Sequence, residues 1–137
     1  MPAGKQPYEV PYDRDAVMAR NVVWRFHGLD QDGRWSMANL GSARLLEVLL
    51  KLGSFEQQTI RELFYDGEEP GKHYNVENLP KESHDRLTEL GREDETIIAR
   101  LRLTGQQRLY GFLREHVFHV LWWDPQHEVY PSNKRHT

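Results

Sequence analysis

A change in hydrophobic period near residue 96 constrains the fold more than any other feature of the sequence. From there the segment "TIIARLRL" places Ile97, Ala99, Leu101 and Leu103 on one side, as in a strand whose side chains point to alternate faces. Two more apolar runs, "RLYGFL" and "VFHVLWW", follow the short connections "TGQQ" and "REH". Runs joined this closely pair as antiparallel strands. The last third of the chain is therefore predicted to form a β-meander, with "EVYP" as a short final strand.

The middle of the chain has the helical period instead. "SARLLEVLLKLG" places Leu45, Leu49 and Leu52 on one face and is expected to end at Gly53. "SFEQQTIRELFYDG" opens on a capping-box pattern at Ser54 and predicts a second helix, and "LPKESHDRLTELG" predicts a third. Before them, "NVVWRFHGLD" has the composition of a strand, while "EEPGKHYNVEN" is predicted to be a loop.

This order of elements predicts an α+β fold. We expect an antiparallel sheet of four to five strands, with two to three helices packed on one face and the other face free. Residues 1–20 contain three prolines among polar residues and are predicted to be a flexible N-terminal arm. Residues 21–137 are predicted to form a single domain, since a chain of 137 residues can bury one core of ordinary size.

The composition of the chain limits the classes of protein to which it can belong. No apolar run approaches the roughly 20 residues that cross a bilayer, and the chain has no cysteine, so we expect a cytoplasmic protein without disulfides or thiolate sites. The net charge of −3 argues against a general nucleic-acid coat. However, residues 100–137 hold six Lys/Arg against three Asp/Glu, whereas residues 1–99 hold 12 against 18. This asymmetry is typical of a polyanion-binding face on an acidic scaffold, although chance can also produce it.

The basic side chains of the meander are the first candidate site. Arg100 and Arg102 alternate with apolar residues on one strand, and Arg108 begins the next. Arginine forks bind phosphate oxygens in pairs, so convergent arginines on neighbouring strands favour a phosphate-binding surface. The alternative is a sheet face on which arginine serves only solubility.

The chain end is the second candidate. Lys134 and Arg135 precede His136, which places phosphate-binding cations beside a group that transfers protons near neutral pH. A basic end without a function is the alternative. Tyr130 flanks the expected free face and could orient phosphates or relay protons, and His127, just past a turn, is expected to be exposed.

Two other possibilities depend on the rings of the last strand. One of Trp122 and Trp123 should be in the core, and the other could stack on a nucleobase unless both are packed. His116, His119, Asp124 and His127 suggest a metal by their number alone. On a strand the first two histidines point to opposite faces, so we predict no metal, and no motif indicates a cofactor.

The meander and the chain end together resemble the C-terminal half of RelE/YoeB-type toxins of bacterial toxin–antitoxin systems. The similarity lies in "LRLTG" followed by "RLYG", in the apolar strand "VFHVLWWD", and in the basic, histidine-containing end "KRH". It covers about Ile97 to Thr137 and elsewhere extends only to the order of the elements. The helices here are acidic, unlike those of the family, and the catalytic glutamate of the YoeB branch has no match.

The resemblance implies a metal-independent endoribonuclease that cleaves RNA, including ribosome-bound mRNA, and that is held inactive by a cognate antitoxin. It assigns Arg108 and Lys134 to stabilising charge on the scissile phosphate, Arg135 to holding the backbone and His136 to general acid–base catalysis. Arg100, Arg102, Tyr130 and His127 would contact the RNA. The alternative is a module that binds nucleic acid or protein without catalysis, such as a phage or mobile-element regulator or inhibitor.

Overall fold

The computed structural model of the protein describes residues 13–131. Within this range the chain forms four α-helices and five strands, with short 3₁₀ turns at Met37–Asn39 and Val76–Asn78. The elements in chain order are α1 (Arg14–Met18), β1 (Val23–Arg25), α2 (Ser42–Phe55), α3 (Ile60–Phe64), β2 (Gly71–Asn75), α4 (Lys81–Glu89), β3 (Ile97–Arg102), β4 (Arg108–Arg114) and β5 (Val117–Asp124). The predicted α+β class and the predicted strand number are confirmed.

The five strands form one mixed sheet in the order β1-β5-β4-β3-β2. Strands β2 to β5 pair antiparallel, as the meander predicted, but β1 pairs parallel with β5. The expectation of a wholly antiparallel sheet was therefore wrong at this edge. Because helices and three strands separate β1 from β5 in the chain, no tight turn dictates their relative direction.

Both faces of the sheet are covered, which corrects the prediction that all helices pack on one face. Apolar residues of α1, α2 and α3 join Leu101, Leu109 and Val120 in one core cluster. On the opposite face, Leu87 of α4 packs in a second cluster with Trp122 and with side chains of the loop segments. The acidic surface of α4 hid this role in the sequence, because only one of its residues, Leu87, is a buried apolar side chain.

A β-bulge between β4 and β5 shapes this second face. Tyr110 pairs with Trp122, but Gly111 pairs with Val120, so Leu121 is the extra residue. Leu121 and Trp122 consequently pack in the same cluster. At Gly111 a Cβ atom would lie 2.2 Å from the carbonyl oxygen of His119. Glycine is therefore required for the close approach of the two backbones.

Several local predictions were wrong because tertiary packing overrode sequence signals. Helix α2 continues through Gly53 to Phe55, whose ring is buried; burying this ring outweighs the roughly 1 kcal/mol that glycine costs within a helix. Of the predicted apolar face, Leu52 is buried, whereas Leu45 and Leu49 are exposed. The capping box before α3 is formed by Thr59 and Glu62 rather than at Ser54.

Two further corrections concern strands. The predicted loop after α3 contains β2, an edge strand that pairs with β3 over five residues. Its glycine and asparagine suggested a loop, but pairing to a neighbour decides strand formation more than propensity does. Conversely, the "EVYP" segment forms no strand, and its Val129 packs in the second core cluster. Residues 13–20 of the predicted arm include α1, which buries Met18.

Candidate anion-binding site

Three arginines meet on one face of the sheet, as the alternation of β3 predicted. Arg100 and Arg102 point away from the core cluster that contains Ala99 and Leu101. Across the β3–β4 pairing, Arg100 lies opposite Tyr110 and Arg102 lies opposite Arg108. Like charges directly opposite each other destabilise a sheet. The Arg102–Arg108 pair is therefore unfavourable in isolation, and a bound anion would relieve the repulsion.

Arg100 is the buried and best-paired member of the group. It is 3% exposed, and its Nη1 lies 2.8 Å from Oε1 of Glu69 and 2.9 Å from the carbonyl oxygen of Pro70. Its Nη2 donates to the hydroxyl of Tyr74 at 3.3 Å. Burial lowers the pKa of Arg100, but the hydrogen bonds to Glu69 and Tyr74 outweigh it and raise the pKa overall. Its Nε is buried and has no partner within the part of the chain that the structure describes.

Arg108 is buried without a carboxylate. It is 7% exposed, and among the described residues its Nη1 donates only to the backbone carbonyls of Gly105 at 2.8 Å and Gln107 at 3.2 Å. Its Nε is buried and has no partner in the same part of the chain. No ion pair within residues 13–131 includes Arg108. Burial, and then the charges of Arg100 and Arg102, lower its pKa.

Asp124 is the carboxylate that could have neutralised Arg108, since the two residues are direct partners across β4 and β5. Its oxygens instead accept backbone N–H groups of the following turn: Oδ1 from Gln126 at 3.4 Å, and Oδ2 from Glu128 and Val129, each at 2.7 Å. Burial raises the pKa of Asp124, and these bonds oppose the rise. Asp124 therefore holds the turn, not the arginine.

Tyr110 lies opposite Arg100 in the β3–β4 pairing. Its side chain is fully buried, and its hydroxyl has no partner among residues 13–131. Burial raises the pKa of this hydroxyl far above its ordinary value, so it stays protonated and neutral. A buried polar group without a partner costs about 1 to 3 kcal/mol. Three such groups, on Arg100, Arg108 and Tyr110, occur at neighbouring positions of one sheet face.

Together these residues form what we call the arginine site: the exposed Arg102 with the nearly buried Arg108 opposite it, and next to them on the same face Arg100 with Tyr110 opposite it. Arg102 is exposed and Glu69 neutralises only Arg100 by direct contact, so the site keeps a net positive charge. Among the surface clefts within residues 13–131, four have volumes of about 290 to 500 Å³, and neither Arg100 nor Arg108 lines any of these four. The chemistry is that of a surface for an oxygen-rich anion.

The remaining predicted contacts fall in different places. Tyr130 packs on Tyr74 with ring centroids 4.2 Å apart, and because Tyr74 is hydrogen bonded to Arg100, Tyr130 borders the arginine site. His127 lies in the turn after β5 with a φ of 59°. Lys134, Arg135 and His136 lie outside the described residues.

Neither tryptophan of β5 is available for a nucleobase, which corrects that alternative. Trp122 is fully buried and donates to Asp30, and the nearly buried Trp123 donates from Nε1 to Oε1 of Gln107 at 3.0 Å. Residues 13–131 contain no group of three or more histidine or acidic residues that could hold a metal ion. Likewise, no helix in this range is long and apolar enough to cross a membrane.

Sequence reasoning missed a second buried ionic cluster on the same face, around Asp30. Its Oδ2 accepts from Trp122 Nε1 at 2.9 Å and from Arg86 Nε at 2.8 Å, and its Oδ1 accepts from Arg86 Nη2 at 2.7 Å. The backbone N–H groups of Asp32 and Gly33 also donate to Oδ1. Arg86, helped by Trp122 and against the effect of burial, lowers the pKa of Asp30 to about 2. The local sequence "DQDG" has the composition of a turn and does not point to the distant Arg86.

Comparison with known proteins finds no protein-family model, no curated protein and no solved structure that matches this chain significantly.

Proposed function

We propose that the protein binds the phosphate backbone of RNA through the arginine site. The observation that carries the proposal is Arg108: a nearly buried arginine with no carboxylate partner, directly opposite Arg102. A protein gains no stability from two facing cations, one of them desolvated. A phosphate oxygen between them would accept charge-assisted hydrogen bonds and offset both costs.

The shape of the surroundings favours a polymer over a free phosphate ion. Arg102 is exposed, so a strand that crosses this face of the sheet would reach the site and extend beyond it. A polyanion would also gain from the neutralisation of each phosphate, because this releases counterions. The Tyr74–Tyr130 stack beside Arg100 would add aromatic surface next to a bound phosphate, and nucleobases stack on such rings.

RNA cleavage is the second candidate, and one observation favours it. The arginine that the RelE/YoeB resemblance assigns to the scissile phosphate, Arg108, is the buried arginine without a carboxylate partner among the described residues. In this mechanism a base takes the proton of the ribose 2′-OH, whose oxygen attacks the adjacent phosphate. Arg108 stabilises the pentacoordinate charge, and an acid protonates the leaving 5′-oxygen. The hydroxyl of Tyr110 keeps its proton and Asp124 is held by its turn, so His136 remains the candidate acid and Lys134 a second cation.

The test is the affinity for a fluorescent 20-nucleotide RNA at several salt concentrations. Each phosphate contact contributes about −0.7 to the slope of log K against log salt for a single strand. We expect Arg102→Gln to reduce the slope by about that amount, and Arg108→Met to lower affinity by about 10-fold or more. Arg25→Gln is the matched control, because it removes an exposed arginine from the opposite edge of the sheet and should leave both quantities unchanged.

Equal losses in all three variants would refute a defined site, and no binding by the wild-type chain would refute the proposal. The same incubations, resolved on a denaturing gel, test the second candidate. Cleavage that disappears in the folded variants Arg108→Met and His136→Ala would support an endoribonuclease. Tight binding to RNA that stays intact, with or without ribosomes, would support the non-catalytic module.

A further inference from the structure

Helix α2 exposes four leucines on a single stripe. Leu45, Leu46, Leu49 and Leu50 are 46%, 62%, 47% and 66% exposed. Monomeric proteins rarely expose contiguous apolar patches of more than a few hundred Å², and larger ones mark contact surfaces. The four side chains together form a patch on the order of 400 Å², about half of the ~800 Å² that each partner contributes to a standard interface.

The side chains of α2 divide into three sectors at 100° per residue. Val48, Leu52 and Phe55 are buried in the core. The charged residues Arg44, Glu47 and Lys51 lie on the side of the helix opposite the leucine stripe. The stripe itself contains no charged residue, so a partner on it would neither bury a charge nor meet a like one.

The order of residues along the stripe is the same in both directions. Reading from Ser42 to Gly53, the stripe contains a small residue, two leucines, two leucines and a small residue. A two-fold axis between residues 47 and 48 places Leu46 opposite Leu49 of a second copy, Leu45 opposite Leu50, and Ser42 opposite Gly53. A Cβ added at Gly53 would meet nothing within 4 Å, so this end is open to a partner. Each leucine of the stripe would then meet a leucine of the second copy, and reciprocal contacts of this kind are those of a two-fold interface between identical chains.

We propose that the leucine stripe of α2 is a dimer interface on which a second copy of this chain packs, with the two α2 helices antiparallel. The small residues at both ends let the helix backbones approach, and the leucines fill the space between them. The proposal is independent of RNA binding, since no member of the arginine site lies on α2.

The first experiment is sedimentation equilibrium of the full chain from 1 to 500 µM. We expect a monomer–dimer equilibrium for the wild type, and a monomer throughout for Leu46→Glu/Leu49→Glu, which changes only exposed side chains. Lys51→Glu, on the charged sector of the same helix, is the matched control and should dimerise as the wild type does. A wild-type chain that stays monomeric at all of these concentrations would overturn the proposal. This holds even if a different protein proves to bind the leucine stripe. A dimer unaffected by the leucine substitutions would also overturn it.

Disulfide trapping tests the antiparallel arrangement. The chain has no cysteine, so Ser42→Cys and Gly53→Cys each introduce a single thiol. A mixture of the two variants should form the mixed disulfide, whereas each variant alone should not, because 11 residues of helix separate like positions by about 16 Å. Rapid cross-linking of Ser42→Cys to itself, without the mixed product, would overturn the antiparallel register.

Discussion

Two buried ionic clusters lie on the same face of this sheet, and their hydrogen bonding differs. At Asp30 the carboxylate accepts from Arg86, Trp122 and two backbone N–H groups. At the arginine site, among the described residues, Arg108 has only backbone carbonyls as partners, and Nε of Arg100 and the hydroxyl of Tyr110 have none. Complete pairing is what a buried charge needs to stabilise a fold. The phosphate ligand that we propose would supply the partners that the arginine site lacks.

Among substitutions that distinguish the two clusters, Asp30→Ala is expected to cause the largest loss of stability. This change removes the acceptor of Arg86 Nε and of Trp122 Nε1, while Arg86 keeps its exposed partners Asp32 and Glu89. Breaking a buried ion pair costs about 3 to 5 kcal/mol. Urea unfolding measures the loss. Asp32→Ala is the control: Asp32 contacts the same Arg86 but is 88% exposed, so it should cost less than about 1 kcal/mol. Similar losses in the two variants would mean that the Asp30 network does not support the fold.

The loss of stability at acidic pH should depend on the same Asp30 network. The pKa of Asp30 is about 2 in the folded protein and about 3.9 in an unfolded chain. A depressed pKa stabilises the fold above the unfolded value, and this contribution is lost as pH falls from about 4 to about 2. We expect the free energy of unfolding to drop by about 2 kcal/mol over this window, and Asp30→Asn to remove that part of the drop. If Asp30→Asn loses as much stability as the wild type between about pH 4 and about pH 2, other carboxylates cause that loss.

A smaller difference in stability is expected between removing a tyrosine hydroxyl that is hydrogen bonded and removing one that is not. Tyr74→Phe removes the acceptor of Arg100 Nη2 and should destabilise the protein by about 1 kcal/mol. Tyr110→Phe removes a buried hydroxyl that has no protein partner, so stability should stay the same or rise by up to about 1 kcal/mol. Chemical denaturation of both variants checks this. A marked loss in Tyr110→Phe would reveal a partner for its hydroxyl and remove one reason for assigning a ligand to the site.

How far the sequence predicts this molecule depends on the range of the interactions involved. Alternation along β3 and two short connections were enough to place Arg100, Arg102 and Arg108 together, because strand pairing over tight turns is local. Whether Arg108 pairs with a carboxylate depends on the turn after β5, because the backbone N–H groups of that turn bind the carboxylate of Asp124. Nothing in the local pattern predicts the contact of Asp30 with Arg86, 56 residues away.

The leucines of α2 show the same limit. Helical periodicity identified an apolar face, but the period is the same for a face that packs in a core and for one that remains exposed. Leu52 packs inside, and Leu45 and Leu49 do not. Only the position of α2 on the sheet separates them.

The most direct test of the distinction between the clusters compares Arg108→Met with Arg86→Met, measuring the free energy of unfolding and RNA affinity for each. We predict that Arg108→Met changes stability by less than about 1 kcal/mol, because the lost backbone hydrogen bonds are offset by removal of an unpaired buried charge, while affinity falls by about 10-fold or more. Arg86→Met should lower the free energy of unfolding by about 2 to 4 kcal/mol. Under conditions in which it is folded, it should bind RNA with the wild-type affinity. An Arg108→Met variant that is strongly destabilised, or that binds RNA as the wild type does, would contradict the assignment of the arginine site to a ligand.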